Sequence, residues 1–205
     1  MNTINATPKL LFVIASKHGS TAEISEEMIA ILKNNGLSSD FLHLDKLKEP
    51  KTLNFDTYGG IIIGSGIYAG KMSKKVSKFL DKYLTNVKEK PIVAFAVCGK
   101  AKRLELREEC ITEMVSDYFK NWNLIPILGD AFGGVINFSK GTSLNFIERF
   151  ILKMIDRRDD SVDKSGRNDF RNWDLIRQFT EKIINVFSNP ASELVSVSSL
   201  GMKTA

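Results

Sequence analysis

Lys9-Leu10-Leu11-Phe12-Val13-Ile14-Ala15, continued at once by Ser16-Lys17-His18-Gly19-Ser20-Thr21, is the stretch on which the fold turns. The first seven residues are apolar after Lys9, carry β-branched Val13 and Ile14, and are too few for a helix, so they read as a buried strand. The small polar residues that follow read as a turn. Beyond them Ile24, Met28, Ile31 and Leu32 recur at i, i+4, i+7 and i+8, the spacing of one helix face. Ser20 with Glu23 three residues later fits a capping box, and Gly36 fits a helix stop.

The same alternation continues outward from this unit. Asp40 to Leu44 reads as an outer strand and Tyr58 to Gly64 as a buried one. Gly64 to Gly70 reads as a glycine-rich loop, and Val76, Phe79, Leu80, Tyr83 and Leu84 mark an amphipathic helix. Pro91 to Cys98 is a fourth strand. Leu104 to Trp122 is a helix with Ile111, Met114, Val115, Tyr118 and Trp122 inward, and Leu124 to Leu128 begins a fifth strand. Strands alternating with helices predict an α/β fold, a five-stranded parallel sheet with helices on both faces. In such sheets ligands bind beyond the carboxyl ends of the strands, which points to the loops after the first, third and fourth.

After Leu128 the pattern changes. Asp130 to Gly141 is irregular, Leu144 to Ile155 is a helix apolar around most of its girth, and Asp156 to Asn172 is a polar loop. Trp173, Ile176, Phe179, Ile183 and Phe187 define a last helix. The expectation is one domain over residues 1–187 with an insert at about 132–172, then a flexible tail over 188–205.

With 43% hydrophobic and 26% charged residues in 205, disorder and fibrous folds are excluded. Cys98 and Cys110 cannot build a disulfide framework and lack the company of a zinc site, so no metal is expected. The N-terminal residues show no basic stretch followed by an apolar one, and no apolar run approaches the ~20 residues of a membrane span, so a cytoplasmic chain is expected. The formal charge of +5 is spread among acids with no arginine-rich block, which argues against nucleic acid. No Ser/His/Asp set or paired carboxylates stand out, which disfavours hydrolysis.

Between a strand and a helix start, backbone N–H groups and the helix dipole favour a phosphate. Ser16, Ser20 and Thr21 add hydroxyls, and Gly19 permits close backbone approach. The loop is neither a GxGxxG fingerprint nor a GK[ST] loop, so a monophosphate fits better than a pyrophosphate. An ordinary capped turn is the alternative reading. His43 reads as structural. Cys98 reads as a small buried residue or a reactive thiol.

Placed this way, the chain resembles the flavodoxin-like family, whose first loop carries [ST]-x-x-G-x-T, here Ser16, Gly19 and Thr21. The resemblance implies strand order 2-1-3-4-5 and FMN as cofactor. By that analogy Ser16, Lys17, His18, Gly19, Ser20 and Thr21 hold the phosphate. Ser65, Gly66, Ile67, Tyr68, Ala69 and Gly70 lie on one side of the flavin ring, and Cys98, Gly99 and Lys100 close the other. His18 replaces a hydroxyl residue there; its ring nitrogen can donate to phosphate. The basic charge and the insert resemble the branch containing the menaquinone-linked protoporphyrinogen oxidases. Ala131-Phe132-Gly133-Gly134, the segment Phe146 to Ile155, and Asn172-Trp173-Asp174 carry that likeness, with Asn172 standing where the branch has Asp.

Two classes of function follow from the resemblance. One is an FMN oxidoreductase taking electrons from an organic donor, protoporphyrinogen IX by implication, and passing them to a quinone. The other is an electron carrier docking with redox proteins, and a small quinone reductase is a third. The insert favours the enzyme, because a carrier needs no wall over the flavin edge. The apolar helix at 144–155 would serve as a substrate wall, a homodimer interface, a membrane-surface contact or part of the core.

Overall fold

The structure, a computed structural model, describes residues 8–46, 53–139 and 162–188. The apolar segment 144–155 and the tail beyond Ser188 therefore lie outside the described residues.

Strand β1 (Lys9–Ala15) is followed by α1 (Ser20–Asn34), β2 (Ser39–His43), β3 (Tyr58–Tyr68) and the two-residue β4 (Lys71–Met72). Next come α2 (Lys74–Lys88), β5 (Ile92–Val97), α3 (Arg107–Ile111), a π-helical turn at Thr112–Ser116 and α4 (Asp117–Lys120). The described chain ends through β6 (Leu128–Phe132), β7 (Val135–Asn137), β8 (Arg167–Asp169) and α5 (Trp173–Ser188). The main sheet runs β2-β1-β3-β5-β6 with every neighbouring pair parallel. Counted over its five parallel strands, that is the order 2-1-3-4-5.

The side-chain period of two divides β1 between two cores. Leu10, Phe12 and Ile14 pack with Ile24, Met28 and Leu32 of α1 and with Ile176, Phe179, Ile183 and Phe187 of α5. Leu11, Val13 and Ala15 face the other side, with Val76, Phe79 and Leu80 of α2 and Cys110, Val115 and Phe119 beyond β5. A strand covered on both faces has no polar positions, which is why β1 reads as an unbroken apolar run. Each fully buried Leu, Ile or Phe contributes about 1.5–3 kcal/mol of apolar burial.

Several boundaries differ from the sequence reading. Ser20 does not cap α1: Gly19 is the N-cap, and the side chain that reaches the first turn is that of Ser16, on the Ala22 amide. Ser20 Oγ instead accepts from the Val135 amide, and the Glu23 carboxylate pairs with Arg171, so both halves of the expected capping box are engaged by the insert. The stop is as read: the Gly36 and Leu37 amides return to Lys33 and Leu32. β3 runs on through Tyr68, and the expected glycine loop shrinks to a two-residue turn at Ala69 and Gly70, both at positive φ (48° and 75°). That is the turn chemistry that joins antiparallel β3 and β4.

The single helix expected over Leu104–Trp122 is instead a chain of short pieces. Two 3₁₀ turns (Lys100–Lys102 and Leu104–Leu106) precede α3, and the π turn follows it. The π turn inserts a residue, so the fully buried positions are Cys110, Val115 and Phe119, with a five-residue step first. Met114, at the α-helical step, is only partly buried. The fifth strand begins at Leu128 rather than Leu124, and Ile125 and Ile127 before it are exposed. Within the insert, parts of the supposed irregular stretch and of the supposed polar loop pair as β7 and β8, antiparallel. Asn172 Oδ1 accepts from the Asp174 and Leu175 amides at 3.1 Å, so the residue standing in for Asp still caps α5.

Candidate functional site

The parallel strands end at one edge, and the loops after β1, β3 and β5 gather there. In the first loop Gly19 sits at φ 99°, a conformation that side chains avoid, and it turns the chain into α1. Ser16 Oγ accepts from the Ala22 amide at 3.2 Å and Ser20 Oγ from the Val135 amide at 2.9 Å. A hydroxyl that already accepts keeps its own proton to donate, so both serines retain a donor. The amides of Ser20 and Thr21 stand in the first turn of α1, where N–H groups have no intrahelical acceptor. Ser16 and Thr21 are buried, while Lys17 and His18 are more open.

A residue that sequence reasoning missed orders this loop from below. Asp45, just past β2, accepts from the Ser16 amide at 2.7 Å. It also pairs with Lys75 of α2 at 3.2 Å, and its own amide donates to His43 Nδ1 at 3.2 Å. Burial holds the His43 pKa below its ordinary value, consistent with a neutral ring accepting at Nδ1. His43 is buried and touches the first loop's support through the Asp45 amide. No local motif marks Asp45, because its role depends on β2 lying beside β1.

The second loop meets the first through Tyr68. Its hydroxyl accepts from the Lys17 amide at 2.9 Å, and its ring meets His18 edge-on with centroids 5.7 Å apart. Gly66 makes this possible, since a Cβ there would lie 2.6 Å from the Tyr68 hydroxyl. Ser65 is fully buried; its hydroxyl donates to the Gly66 carbonyl and accepts from the Ser73 amide, which fixes the start of α2. Ile67 pairs with Met72, and Ala69 and Gly70 form the exposed tip.

The third loop is held by side chains. Cys98 is buried, and its amide donates to the Phe132 carbonyl. Gly99 is open, with nothing within 4 Å of a Cβ placed there. Lys100 turns along the protein surface to Glu109 at 2.5 Å and Glu113 at 3.2 Å, and its bond to Glu109 raises its pKa. Arg107 grips buried Asp130 of β6 in a two-pronged pair. Gly134 lies between the first and third loops: a Cβ on it would meet Val97 at 2.9 Å and Ser20 at 3.5 Å.

The insert is pinned to the same place. Arg171 binds Asp169 of β8 at 2.5 Å, pairs with Glu23 of α1, and stacks on Trp173 at 4.6 Å. To the side of the loops a cleft of about 920 Å³ opens between the β3–β4 turn and the π-turn segment. Tyr68, Met72, Lys74, Met114, Tyr118 and Trp122 are among its walls, and it touches the first loop only at Lys17. It is therefore a neighbour of the first loop rather than the first loop itself. Among the described residues no cluster of His, Cys, Asp or Glu could hold a metal ion, and no helix is long and apolar enough to cross a membrane.

A parallel sheet in this order, with a hydroxyl-rich turn after its first strand, defines a flavodoxin-like α/β protein. The chain matches the Flavodoxin domain over residues 11–165 and belongs to that family. FMN is its cofactor, and the donor set of the first loop fits the phosphate. The chain is similar to protoporphyrinogen IX dehydrogenase [quinone] of Escherichia coli, 21% identical over 183 residues that cover 89% of this chain and 98% of that protein. Among solved structures it is similar to a putative flavoprotein from Bacteroides eggerthii, with 18% identity, TM-score 0.47, and 60% and 87% of the two chains covered. A flavoprotein from Lactobacillus acidophilus, solved in complex with FMN, has 16% identity, TM-score 0.44 and coverage of 60% and 92%. The protein is a flavodoxin-like flavoprotein with similarity to an oxidoreductase.

Proposed function

We propose that this protein is an FMN-dependent oxidoreductase that takes electrons from an organic donor, of the porphyrinogen type, and passes them to a quinone. The observation that carries the reading is the anchoring of the insert on the anion loop, through Val135 to Ser20 and Arg171 to Glu23. A carrier with an exposed flavin edge has no need of that wall. The likeness to the Escherichia coli dehydrogenase along nearly its full length supports the same reading.

In this assignment Ser16, Gly19, Ser20 and Thr21 bind the phosphate, with the amides and hydroxyls described above. Lys17 and His18 add donors at the mouth, and Asp45 keeps the Ser16 backbone in place. Tyr68 to Gly70 and Cys98 to Lys100 flank the ring. Bound FMN supplies the two-electron chemistry. The aromatic and thioether walls of the cleft, Tyr118, Trp122, Met72 and Met114, suit a flat apolar donor or quinone, and Lys71 and Lys74 at its rim suit carboxylates.

Anaerobic mixing of the FMN-loaded protein with protoporphyrinogen IX, followed by a menaquinone analogue, tests the proposal. Bleaching of the flavin by the donor and its return with quinone is the expected result. Reduction only by a protein donor, with no response to organic donors, would establish the carrier instead. FMN should also bind far more tightly than riboflavin, which lacks the phosphate; equal affinity would remove the assignment of the first loop.

A further inference from the structure

The third loop begins and ends near a pair of thiols that the proposed electron route does not use. Cys98 directly follows β5 and Cys110 lies in α3, twelve positions on, with their sulfurs 3.8 Å apart. Both belong to the same core, where Cys110 is fully buried and Cys98 is 7% exposed. A disulfide needs sulfurs at about 2.05 Å, so closing the pair asks for an approach of roughly 1.8 Å. The chain between and beyond them suits such a shift. It consists of two 3₁₀ turns and a five-residue helix, and the π turn starts two residues after Cys110. Short 3₁₀ and π pieces lack the regular ladder that would lock a long helix in place.

We propose that Cys98 and Cys110 are a peroxide-sensitive dithiol site, oxidised to an intramolecular disulfide that ties the residue just after β5 to α3 across Gly99–Glu109. The oxidant is a hydroperoxide. The Cys98 sulfur attacks a peroxide oxygen as its thiol proton leaves, and the O–O bond breaks, leaving a sulfenic acid on Cys98; with hydrogen peroxide the departing hydroxide takes up that proton as water. The Cys110 sulfur then attacks the Cys98 sulfur. The S–S bond forms, the S–O bond breaks, and the departing hydroxide leaves as water with the Cys110 proton. Two thiols and one peroxide thus give one disulfide and two waters. Cys98 is the attacking residue because it alone of the two has access to solvent. Burial and the neighbouring Cys98 push the Cys110 thiol up to about 12, which leaves it inert toward peroxide by itself; it reacts only because it lies against Cys98, where the hydroxide departing from the sulfenic acid takes its proton. Closure fixes the backbone of a loop that the flavin reading places beside the cofactor, although the chemistry is independent of that reading.

The test treats the full-length protein, with and without FMN, with hydrogen peroxide at neutral pH. The expected result is loss of both thiols together and loss of two hydrogens from the intact mass. After trypsin, the peptide carrying Cys98 should be linked to the one carrying Cys110, and dithiothreitol should reverse the change. In Cys110→Ser the remaining thiol should trap as a sulfenic acid with dimedone. In Cys98→Ser the remaining thiol should oxidise roughly a hundredfold more slowly. Cys110→Ala serves in place of the serine variant if that one fails to fold. Two thiols that still titrate, separate oxidation of each, a bond only between two chains, or oxidation seen only above denaturing urea would overturn the proposal.

Discussion

The connections after β1 and after β5 leave the same edge of one sheet and each leads into a helix, yet they are shaped differently. The first is a four-residue turn, Ser16 to Gly19, whose course depends on Gly19 at φ 99°, with the Ser16 and Lys17 amides held by Asp45 and Tyr68. The second is a longer path of 3₁₀ turns held by side chains: Lys100 on Glu109 and Glu113, Arg107 on Asp130, and Cys98 against Cys110. A phosphate is small and always charged, so a rigid cradle of backbone donors serves it well. A flavin edge and its redox partners ask for surfaces whose shape side chains can set. The contrast predicts that the first loop is sensitive to backbone changes and the second to side-chain deletions.

Arg107→Ala offers the largest effect. It leaves the Asp130 carboxylate, 3% exposed, without its cation, and breaking a buried pair this way costs about 3 kcal/mol. Urea unfolding measures it, and pairing the change with Asp130→Leu should recover most of the loss. A loss below about 0.5 kcal/mol, the level of a surface pair, would mean that side chains do not hold the second connection.

Gly19→Ala comes next. The φ of 99° is strained for any side chain, and a Cβ there lies 3.3 Å from the Glu23 carboxylate. The expected cost is about 1–2 kcal/mol in stability, with weaker FMN binding on titration. The matching change in the second loop, Gly99→Ala, should do far less. Gly99 already has φ −63° and open space around it, so stability should change by no more than about 0.5 kcal/mol. Equal effects at the two glycines would erase the comparison.

The support beneath the first loop carries a pH signature. His43 is buried with its pKa below the ordinary 6.5, so below pH 6.5 the unfolded chain takes up a proton that the folded chain resists. Its contribution to stability is therefore present above pH 6.5 and is lost as the pH falls from there toward the lowered folded value. Urea midpoints measured from pH 8 down to pH 5 should fall along that limb. In His43→Phe the limb should flatten, whatever the variant's stability at pH 8. An unchanged slope would show that the imidazole does not titrate with folding.

Strand existence, the fold class, the first loop and the last helix were legible in the chain because each follows from a local pattern: apolar runs, 3.6-residue spacing, and the place of Ser16, Gly19 and Thr21 directly after a strand. The misreadings share a cause, which is that tertiary partners outbid local ones. Ser20 and Glu23 look like a capping box, but Val135 and Arg171 engage them from far along the chain. Leu104 to Trp122 has helical spacing, yet packing Cys110, Val115 and Phe119 against β5 and β6 draws in a π turn. Gly64 to Gly70 looks like a loop because of its glycines. In the fold Gly64 and Gly66 make room for the Phe95 and Tyr68 rings instead, and β3 runs on to Tyr68.

What the sequence by itself determined was the alternation that forces a covered parallel sheet, and the small polar turn that forms its first connection. Periodicity and turn chemistry act over a few residues and need no knowledge of the rest. What only the tertiary structure decided was the company these elements keep. It set Asp45 beneath Ser16, Tyr68 across to Lys17, Arg171 across to Glu23, and Cys98 against Cys110. Each of those contacts joins residues whose neighbourhood exists only once the strands have taken their order. Hydrogen bonds and close packing reach only a few ångströms, so no pattern along the chain could encode them one pair at a time.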